Sequence, residues 1–499
     1  MKTPIVILLL AYFCKGQQLS FDSNFRFGVA TASYQVEGAW NIDGKGESIW
    51  DHLTHTQSSY IVDGSNGDIA CDAYHKTAED VQRLVDLGVD FYRFSISWPR
   101  IFPSGHRNYI NQAGIDYYNG LIDELLAHNI TPMVTMYHWD LPQSLQEIGG
   151  WPNPLLVNYF VDYADVLFSS FGDRVKEWIT FNEPVQVCSD AYSTGGLAPA
   201  YTQDGIGGYL CSYTLLMAHA RTYELYNNNY RDTQNGRVGI TLSASWGYPA
   251  SNSDEDVEAA ENFLQFKVGW FAHPIFSSTG DFPTVMKERI AQLSQEEGFP
   301  RSRLPSFTDE EVALLKGSSD FFGLNHYTTN ECSVLPEEDA IRPSQQADHG
   351  ALCVQPPGTE VGGSDWLYVV PEGIRNLLNW IRTEYDNPEV MITENGFSDR
   401  DGDLNDCRRI NYFNEYLQNV LEAIEDGCNV TTYTAWSFMD NFEWMKGYSE
   451  KFGLYYVDFN DDDRPRTPKM SAYVFKNIIQ TRVIDTTYTP DGFEVCAAE

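Results

Sequence analysis

The sequence predicts an α/β fold: a single (β/α)8 barrel of the TIM-barrel class with long loop insertions. Over 499 residues, eight short runs rich in β-branched and aromatic residues alternate with amphipathic helical patterns, which predicts a parallel sheet covered by helices. The count of eight favours a closed barrel over an open, doubly wound sheet. Residues suited to catalysis follow nearly every strand at its carboxyl end, where such barrels carry their active sites.

The eight predicted strands are short and are bounded by turn or helix signals. They span residues 25–30, 91–95, 131–137, 178–181, 237–242, 321–325, 390–393 and 430–436. Two further segments, around 200–215 and 330–365, exceed what a minimal barrel needs. We expect both to be loop insertions.

Helical periodicity is clearest in residues 154–178. Apolar residues from Leu156 to Leu167 recur there at spacings of three and four, which marks one buried face. The segments 116–127 and 372–384 show the same pattern, with Gly or Pro near their ends. All three are therefore predicted to be helices on the outside of the barrel.

The chain is strongly acidic and unusually aromatic. Asp and Glu number 70 against 33 Lys and Arg, and the resulting net charge of −37 repels nucleic-acid phosphates and anionic lipid surfaces. We therefore expect a neutral small-molecule partner, with no nucleic acid and no membrane. Aromatic residues make up 14% of the chain. Most belong in a large core, but Trp and Tyr also suit a sugar-binding cleft, since their rings combine an apolar face with a polar tip.

The N-terminal residues have the pattern of a secretory leader. Lys2 precedes an apolar stretch at 4–13, which Gly16 follows, and the stretch is too short to span a bilayer. The sequence thus predicts a signal peptide at 1–17, one barrel domain at 18–499 and a secreted, extracellular protein.

Removal of that leader would take Cys14 away and leave eight cysteines, which can pair in an oxidising compartment. Cys332 and Cys353 flank a polar, loop-like segment and are the first candidate pair, while the remaining connectivity stays open. Glycosylation sequons begin at Asn129 and Asn429. Both precede predicted strands, which leaves their occupancy open.

Two segments stand out as carriers of chemistry, TFNEP at 180–184 and ITENG at 392–396. Each begins in a predicted strand and ends with a Glu before a helix breaker, and a carboxylate at a buried strand end is costly unless it is hydrogen-bonded or functional. Either segment alone is equally well explained as a turn-capping Glu. Together, at the ends of the fourth and seventh strands, they predict two cooperating carboxyl groups. Cleavage of glycosidic bonds with retention needs such a pair about 5–5.5 Å apart.

Four more motifs accompany these segments: FGVATASYQVEG at 27–38, YRFSISW at 92–98, HWDLP at 138–142 and AWSFMDNFEW at 435–444. With them the sequence resembles glycoside hydrolase family 1, the β-glucosidase family, from about residue 21 to 475. The resemblance implies hydrolysis of terminal β-D-glucosyl residues by double displacement, without a cofactor. Galactosides and fucosides stay open as further substrates, and so does a homodimer.

The resemblance also implies catalytic roles. Glu183 would protonate the leaving oxygen and later activate water, while Glu394 would attack the anomeric carbon. Arg93 and Tyr327 would lie beside Glu394 and favour its ionised form. Asn325 would support the same site.

A sugar-binding set follows from the same motifs. Its hydrogen-bonding members would be Gln35, His138, Asn182, Tyr327, Glu443 and Trp444, with Trp436 as the stacking floor. Asn182 would hold the 2-hydroxyl, and Glu443 would read the 4- and 6-hydroxyls. On the leaving-group side, Trp366 resembles the family's aglycone platform, and Leu197 and Met445 would line the mouth.

Two other functions compete with this interpretation. A thioglucosidase of the same family would need a cation for the sulfate of its substrate, and residues 184–200 contain none. A barrel that binds sugar or a protein without catalysis would have lost one carboxyl group, and both are present. No Cys pair has the spacing of a zinc site, so no metal is predicted.

Overall fold

The computed structural model describes residues 19–496, and its centre is a closed barrel of eight parallel strands. The strands are β1 (Arg26–Ala30), β2 (Phe91–Ser95), β3 (Thr131–Tyr137), β4 (Glu177–Asn182), β5 (Arg237–Ser243), β6 (Phe322–Asn325), β7 (Val390–Asn395) and β8 (Val430–Ala435). Each strand pairs with its neighbours in chain order, and β8 pairs with β1 to close the ring. The predicted fold class is confirmed. All eight predicted strands are present, with small differences at their ends.

Helices cover the outside of the barrel. The longer ones are Ile49–Thr56, Thr77–Leu87, Gln112–Ala127, Leu156–Phe171, Gly207–Asn229, Asp254–Leu264, Trp270–Phe276, Thr284–Glu296, Asp309–Leu315, Glu372–Glu384, Cys407–Glu425 and Met470–Thr481. The shorter helical turns are Ser33–Val36, Ser58–Tyr60, Trp98–Ile101, Gln143–Gln146, Pro184–Gln186, Val187–Ala191, Arg231–Gln234, Gln265–Gly269, Glu337–Asp339, Gln345–His349 and Trp444–Lys446.

The predicted helices differ from the observed ones mainly at their ends. The helix at 372–384 is confirmed at both ends, and the one at 116–127 begins earlier, at Gln112. The helix predicted at 154–178 is too long, since it ends at Phe171 before Gly172. Its last predicted residue, Trp178, belongs to β4 instead. The apolar face predicted for this helix is buried as expected.

The first predicted insertion, at 200–215, is only partly a loop. From Gly207 onward it forms the start of the long helix Gly207–Asn229. Consecutive residues from Leu215 to Ala220 are all buried in this helix. A helix buried on several sides shows no single apolar face, and periodicity therefore did not reveal it.

The second insertion contributes two strands to a small three-stranded sheet, whose remaining strand follows β5. Its strands are Trp246–Pro249, Thr329–Val334 and Ala351–Val354. Cys332 and Cys353 lie opposite each other in it and form a disulfide, which confirms the predicted pair. Two further disulfides in the described residues join Cys188 to Cys211 and Cys407 to Cys496, while Cys71 and Cys428 are free and buried.

The interior of the barrel is apolar near the amino ends of the strands. One layer of buried side chains fills it there, contributed by Phe91, Met133, Ile179, Phe321 and Met391. At the opposite end the interior is polar. Such a division is typical of (β/α)8 enzymes: the amino ends of the strands stabilise the fold, and the carboxyl ends carry the active site.

The predicted signal peptide at 1–17 lies outside the described residues, as does Cys14. Within residues 19–496, no helix combines the length and apolarity needed to cross a bilayer. The sequon residues Asn129 and Asn429 are exposed and stand just before β3 and β8.

Candidate active site

The carboxyl ends of β4, β6 and β7 bring the two predicted carboxyl groups to one cavity. The pairing of β4 with β5 shifts register between Ile179 and Asn182, and that of β7 with β6 shifts between Ile392 and Glu394. Irregularities of this kind redirect side chains at strand ends. Glu183 and Glu394 both line the resulting cavity, whose volume is about 860 Å³.

Glu183 follows β4 directly and has a left-handed backbone, with φ 48° and ψ 63°. This conformation is uncommon outside glycine and costs energy, which is typical of functional positions. A hydrogen bond from Glu183 N to Thr241 O (2.9 Å) holds the turn, and Pro184 then begins a short helix. The carboxyl group is buried and accepts a hydrogen bond from Asn325 Nδ2 at its Oε1 (2.8 Å).

Glu394 lies in β7 and is also buried. Its Oε1 accepts a hydrogen bond from Arg93 Nη1, and its Oε2 accepts one from the Tyr327 hydroxyl (2.7 Å). Gly396 completes the segment because a Cβ there would stand 1.8 Å from the carbonyl oxygen of Trp436. Only glycine permits so close an approach of the segments that directly follow β7 and β8.

A continuous chain of hydrogen bonds joins the two carboxyl groups. Arg93 binds Glu394 through Nη1 and donates through Nη2 to Asn182 Oδ1 (2.6 Å). Asn325 Nδ2 donates both to Asn182 Oδ1 (3.2 Å) and to Glu183 Oε1. The orientation of the Asn325 amide is fixed, since its Oδ1 accepts from Thr393 Oγ1 (2.7 Å). Arg93 and Asn325, the two residues predicted to support the site, therefore link Glu183 to Glu394 through Asn182.

The two carboxyl groups have different electrostatic surroundings. Burial first, and the negative charge of Glu394 second, raise the pKa of Glu183 to about 8. Glu394 instead faces the Arg93 guanidinium in a buried ion pair. Burial and the nearby Glu394 raise the pKa of Tyr327 well above its ordinary value, so its hydroxyl keeps the proton that it donates. The site thus holds one carboxyl group suited to be an acid and one suited to be an anion.

Three predicted sugar-binding side chains each keep one buried polar atom without a partner in residues 19–496. These atoms are Gln35 Oε1, His138 Nδ1 and Glu443 Oε1. A buried polar atom that is left unpaired costs free energy, so the atoms of His138 and Glu443, which line the cavity, are suited to hydroxyl groups of a ligand. Gln35 is itself held in place, since its Nε2 donates to Asn441 Oδ1 (2.8 Å).

His138 and Asn182 orient each other. Because Asn182 Oδ1 accepts from Arg93, its Nδ2 is the donor that meets His138 Nε2 (2.8 Å). Burial and the charge of Arg93 lower the pKa of His138 well below its ordinary value, and the ring is neutral. Its hydrogen therefore lies on Nδ1, which can donate to a ligand.

Aromatic rings form one wall of the cavity. The ring of His138 stacks on Trp436, with centroids 5.8 Å apart, and on Trp444, at 5.9 Å. Trp139 packs against Trp444 at 4.6 Å and donates from Nε1 to the Asn182 carbonyl oxygen (2.9 Å). Trp139 was not among the predicted site residues, although it lies within the HWDLP motif.

Most of the predicted site residues line this one cavity. Those that line it are His138, Asn182, Glu183, Leu197, Tyr327, Trp366, Glu394, Trp436, Glu443, Trp444 and Met445. Gln35, Arg93 and Asn325 stand behind it. Trp366 is 45% exposed, and its ring packs near that of Phe452.

Several lining residues were missed. Among them are Asp190, Lys267, Lys446 and Glu450. Residues 184–200 carry no cation, but Lys267 and Lys446 reach the cavity from later segments, so its lining does contain two ammonium groups. In residues 19–496, no group of three or more His, Cys, Asp or Glu side chains is arranged to hold a metal ion.

Comparisons with known proteins agree with this geometry. The family model for glycosyl hydrolase family 1 matches residues 17–484. The chain is 50% identical to Myrosinase 1 of Brevicoryne brassicae over 92% of this chain and 98% of that protein. It is 43% identical to the human cytosolic beta-glucosidase over 94% of this chain and 99% of that one.

Solved structures show the same fold. An aphid myrosinase superposes with a TM-score of 0.89 at 49% identity, covering 93% of this chain and all of the other. A rice beta-glucosidase superposes with a TM-score of 0.87 at 42% identity, covering 92% and 99%. From its family match, its barrel and its relatives, the chain belongs to glycosyl hydrolase family 1 and is an O-glycosyl hydrolase.

Proposed function

We propose that the protein is a secreted, retaining β-glucosidase that removes terminal β-D-glucosyl residues from neutral glucosides. The observation that carries this proposal is the contrast between two carboxyl groups on one cavity. Glu394 accepts hydrogen bonds from Arg93 and Tyr327, which favours its carboxylate form, whereas burial and Glu394 raise the pKa of Glu183. A pair divided in this way supplies a nucleophile and an acid.

In the first step, the Glu394 carboxylate attacks the anomeric carbon while Glu183 gives its proton to the glycosidic oxygen. The bond from the anomeric carbon to that oxygen breaks, the aglycone leaves as an alcohol, and the sugar stays esterified to Glu394. Asn182 is held by Arg93 and Asn325, so its amide is positioned for the neighbouring 2-hydroxyl.

In the second step, esterification has removed the negative charge of Glu394. The pKa of Glu183 falls because one cause of its elevation is gone, and the carboxylate left by the first step can act as a base. Glu183 takes a proton from water, the oxygen attacks the anomeric carbon, and Glu394 is released. Two displacements at one carbon return the β configuration.

The test compares Glu183→Ala with Glu394→Ala on p-nitrophenyl β-glucoside, which needs little protonation of its leaving group. Glu394→Ala should be essentially inactive, and Glu183→Ala should keep some release of nitrophenol. Azide should then accelerate Glu183→Ala and yield the β-glucosyl azide. Formation of the α-azide, or rescue of Glu394→Ala to the β-product, would contradict the assigned roles.

A thioglucosidase is the second candidate, because the chain is 50% identical to Myrosinase 1 of Brevicoryne brassicae. Both carboxyl groups needed for O-glucosides are present here, but their presence does not by itself separate the two candidates. Measuring kcat/KM for sinigrin beside that for cellobiose separates the two. A value for sinigrin equal to or above that for cellobiose would favour the thioglucosidase.

The proposal of secretion is supported by the three disulfides found within residues 19–496 and by the apolar stretch at 4–13, which has the pattern of a signal peptide. Family membership does not decide it, since one relative is a cytosolic enzyme. Expression of the full chain in insect cells tests it. We expect activity in the medium, an N-terminus near residue 18, and a mass that falls on enzymatic deglycosylation if Asn129 or Asn429 is modified.

A further inference from the structure

Asn395 is the last residue of β7 and directly follows Glu394. Its side chain points away from the cavity, since it meets Tyr412 on the outer helix Cys407–Glu425. Successive residues of a strand face opposite sides, so this direction is the one expected beside an inward-facing Glu394. Asn395 is completely buried. A buried amide is costly unless its two donor hydrogens and its acceptor oxygen all have partners.

All three hydrogen-bonding positions of the Asn395 amide are used. Its Nδ2 donates to the His326 carbonyl oxygen (2.6 Å) and to the Tyr412 hydroxyl (2.9 Å). Its Oδ1 accepts from the Tyr433 hydroxyl (2.6 Å). These partners belong to the segment after β6, to the helix that follows β7, and to β8. One buried amide therefore fixes three separate elements relative to the end of β7.

The Tyr412 hydroxyl extends these contacts to Tyr327. Because this hydroxyl accepts from Asn395, its own hydrogen donates to the Tyr327 carbonyl oxygen (3.0 Å). The ring of Tyr416 stacks on that of Tyr412, with centroids 3.9 Å apart, and its hydroxyl contacts the same carbonyl oxygen at 3.4 Å. The carbonyl groups of His326 and Tyr327 are consecutive in the chain. The backbone is thus held both before and after the Tyr327 side chain.

We propose that Asn395 and Tyr412 are positioning residues for the first displacement, and that they act through Tyr327. The inference rests on the proposed function, in which Glu394 is the nucleophile. The Tyr327 hydroxyl donates to Glu394 Oε2 (2.7 Å) from the far end of a long side chain, so a small tilt of its backbone displaces the hydroxyl. Holding both carbonyl groups prevents that tilt and keeps the attacking carboxylate in place.

The main chain around the nucleophile is held in the same frame. His326 N donates to the Glu394 carbonyl oxygen (3.1 Å), and Trp436 N donates to the Asn395 carbonyl oxygen (2.9 Å). The carboxylate and the hydroxyl that binds it are therefore fixed relative to each other by the ends of β6, β7 and β8. Tyr412 is bonded to the Tyr327 side of this frame, so a change there disturbs the frame without altering Glu394.

The test is Tyr412→Phe, which removes the hydroxyl and keeps the ring that stacks on Tyr416. Its readout is inactivation by 2,4-dinitrophenyl 2-deoxy-2-fluoro-β-glucoside. Glu394 attacks the anomeric carbon of this compound and dinitrophenolate leaves as an anion, so no proton from Glu183 is needed. The fluorine slows hydrolysis of the resulting ester, and the sugar stays on the enzyme. We expect kinact to fall about tenfold while Ki stays within about twofold of the wild-type value, since binding is unaltered and one positioning hydrogen bond is lost.

Tyr226→Phe is the matched control. Tyr226 is also buried, and its hydroxyl also bonds a backbone group, accepting from Gly236 N (2.9 Å) just before β5, at the opposite end of the barrel. Loss of a buried hydrogen bond should lower Tm in both variants, whereas kinact should fall only in Tyr412→Phe. Tyr416→Phe removes the longer contact with the Tyr327 carbonyl group and should lower kinact less than Tyr412→Phe does.

A double variant tests whether Tyr412 acts through the Tyr327 hydroxyl. Tyr327→Phe alone should lower kinact, and adding Tyr412→Phe should lower it no further, because the hydroxyl to be positioned is gone. Losses that multiply in the double variant would overturn the inference, and so would an unchanged kinact in Tyr412→Phe. Failure of the reagent to label Glu394 in the wild type, read by peptide mass mapping, would refute the proposed function itself and is distinct from both of these outcomes.

Discussion

Arg93 and Glu394 form an ion pair in which both side chains are almost fully buried. The same guanidinium binds Asn182, so one residue positions both the proposed nucleophile and the group proposed for the 2-hydroxyl. Buried charges require this kind of complete partnering, since an unpaired one is strongly destabilising. The ion pair therefore stabilises the folded barrel and also positions the residues proposed for catalysis.

The first prediction concerns this guanidinium. Arg93→Lys keeps the positive charge but cannot bind Glu394 and Asn182 in one planar fork. We expect kcat/KM for p-nitrophenyl β-glucoside to fall by about 10²–10³, the range found when one preorganised catalytic hydrogen bond is lost. Arg107→Lys, in an exposed ion pair with Asp165, is the matched control and should behave like the wild type. Equal activity of both variants would show that the fork geometry is irrelevant.

The second prediction concerns pH. The pKa of Glu183 is raised to about 8 by burial and by Glu394, and Glu183 acts as an acid only while protonated. Activity limited by this group is therefore present below pH 8 and is lost as the pH rises through that value. The measurement is kcat/KM from pH 4 to 10 with cellobiose, whose poor leaving group needs the proton. In Glu183→Gln, a residual rate on p-nitrophenyl glucoside should lack this alkaline decline. An unaltered decline in that variant would assign it to another group.

The third prediction concerns discrimination between sugars. Glu443 is buried and its Oε1 has no partner among residues 19–496, so a sugar hydroxyl can supply one. Glu443→Ala should lower kcat/KM for β-glucoside about 10- to 100-fold more than for β-fucoside, which lacks the 6-hydroxyl. Glu338→Ala, at an exposed position, is the control and should leave the ratio of the two substrates unchanged. Parallel losses on both sugars would mean that Glu443 supports the fold rather than reading hydroxyl groups.

The barrel could be predicted from sequence because its strands are short, β-branched runs that recur with helices between them. Glu183 and Glu394 could be found because each ends such a run before a helix breaker. Lys267 could not, since a helical pattern reveals a buried face but not whether that face meets the core or a cavity. Asn182 illustrates a further limit: its bonds to Arg93 and Asn325 join segments far apart in the chain, and only the closed barrel brings them together.

The cysteines show the same limit. Cys332 and Cys353 could be paired in advance because one loop-like segment separates them. Cys188–Cys211 and Cys407–Cys496 could not, because several partners fit equally well until the helices are in place.

The fourth prediction concerns the disulfide between Cys332 and Cys353. It joins two short antiparallel strands that form part of the cavity wall, and it closes a segment with a sequence separation of 21. Replacing both cysteines by alanine should lower the free energy of unfolding by about 3 kcal/mol, because the unfolded chain is no longer constrained. Thermal unfolding should show a clearly lower Tm, while kcat on p-nitrophenyl β-glucoside stays near the wild-type value, since Glu183 and Glu394 stand on barrel strands. Cys428→Ala, at a free cysteine, is the control and should lower Tm less. A double variant as stable as the wild type would mean that the strand pair is held without the disulfide.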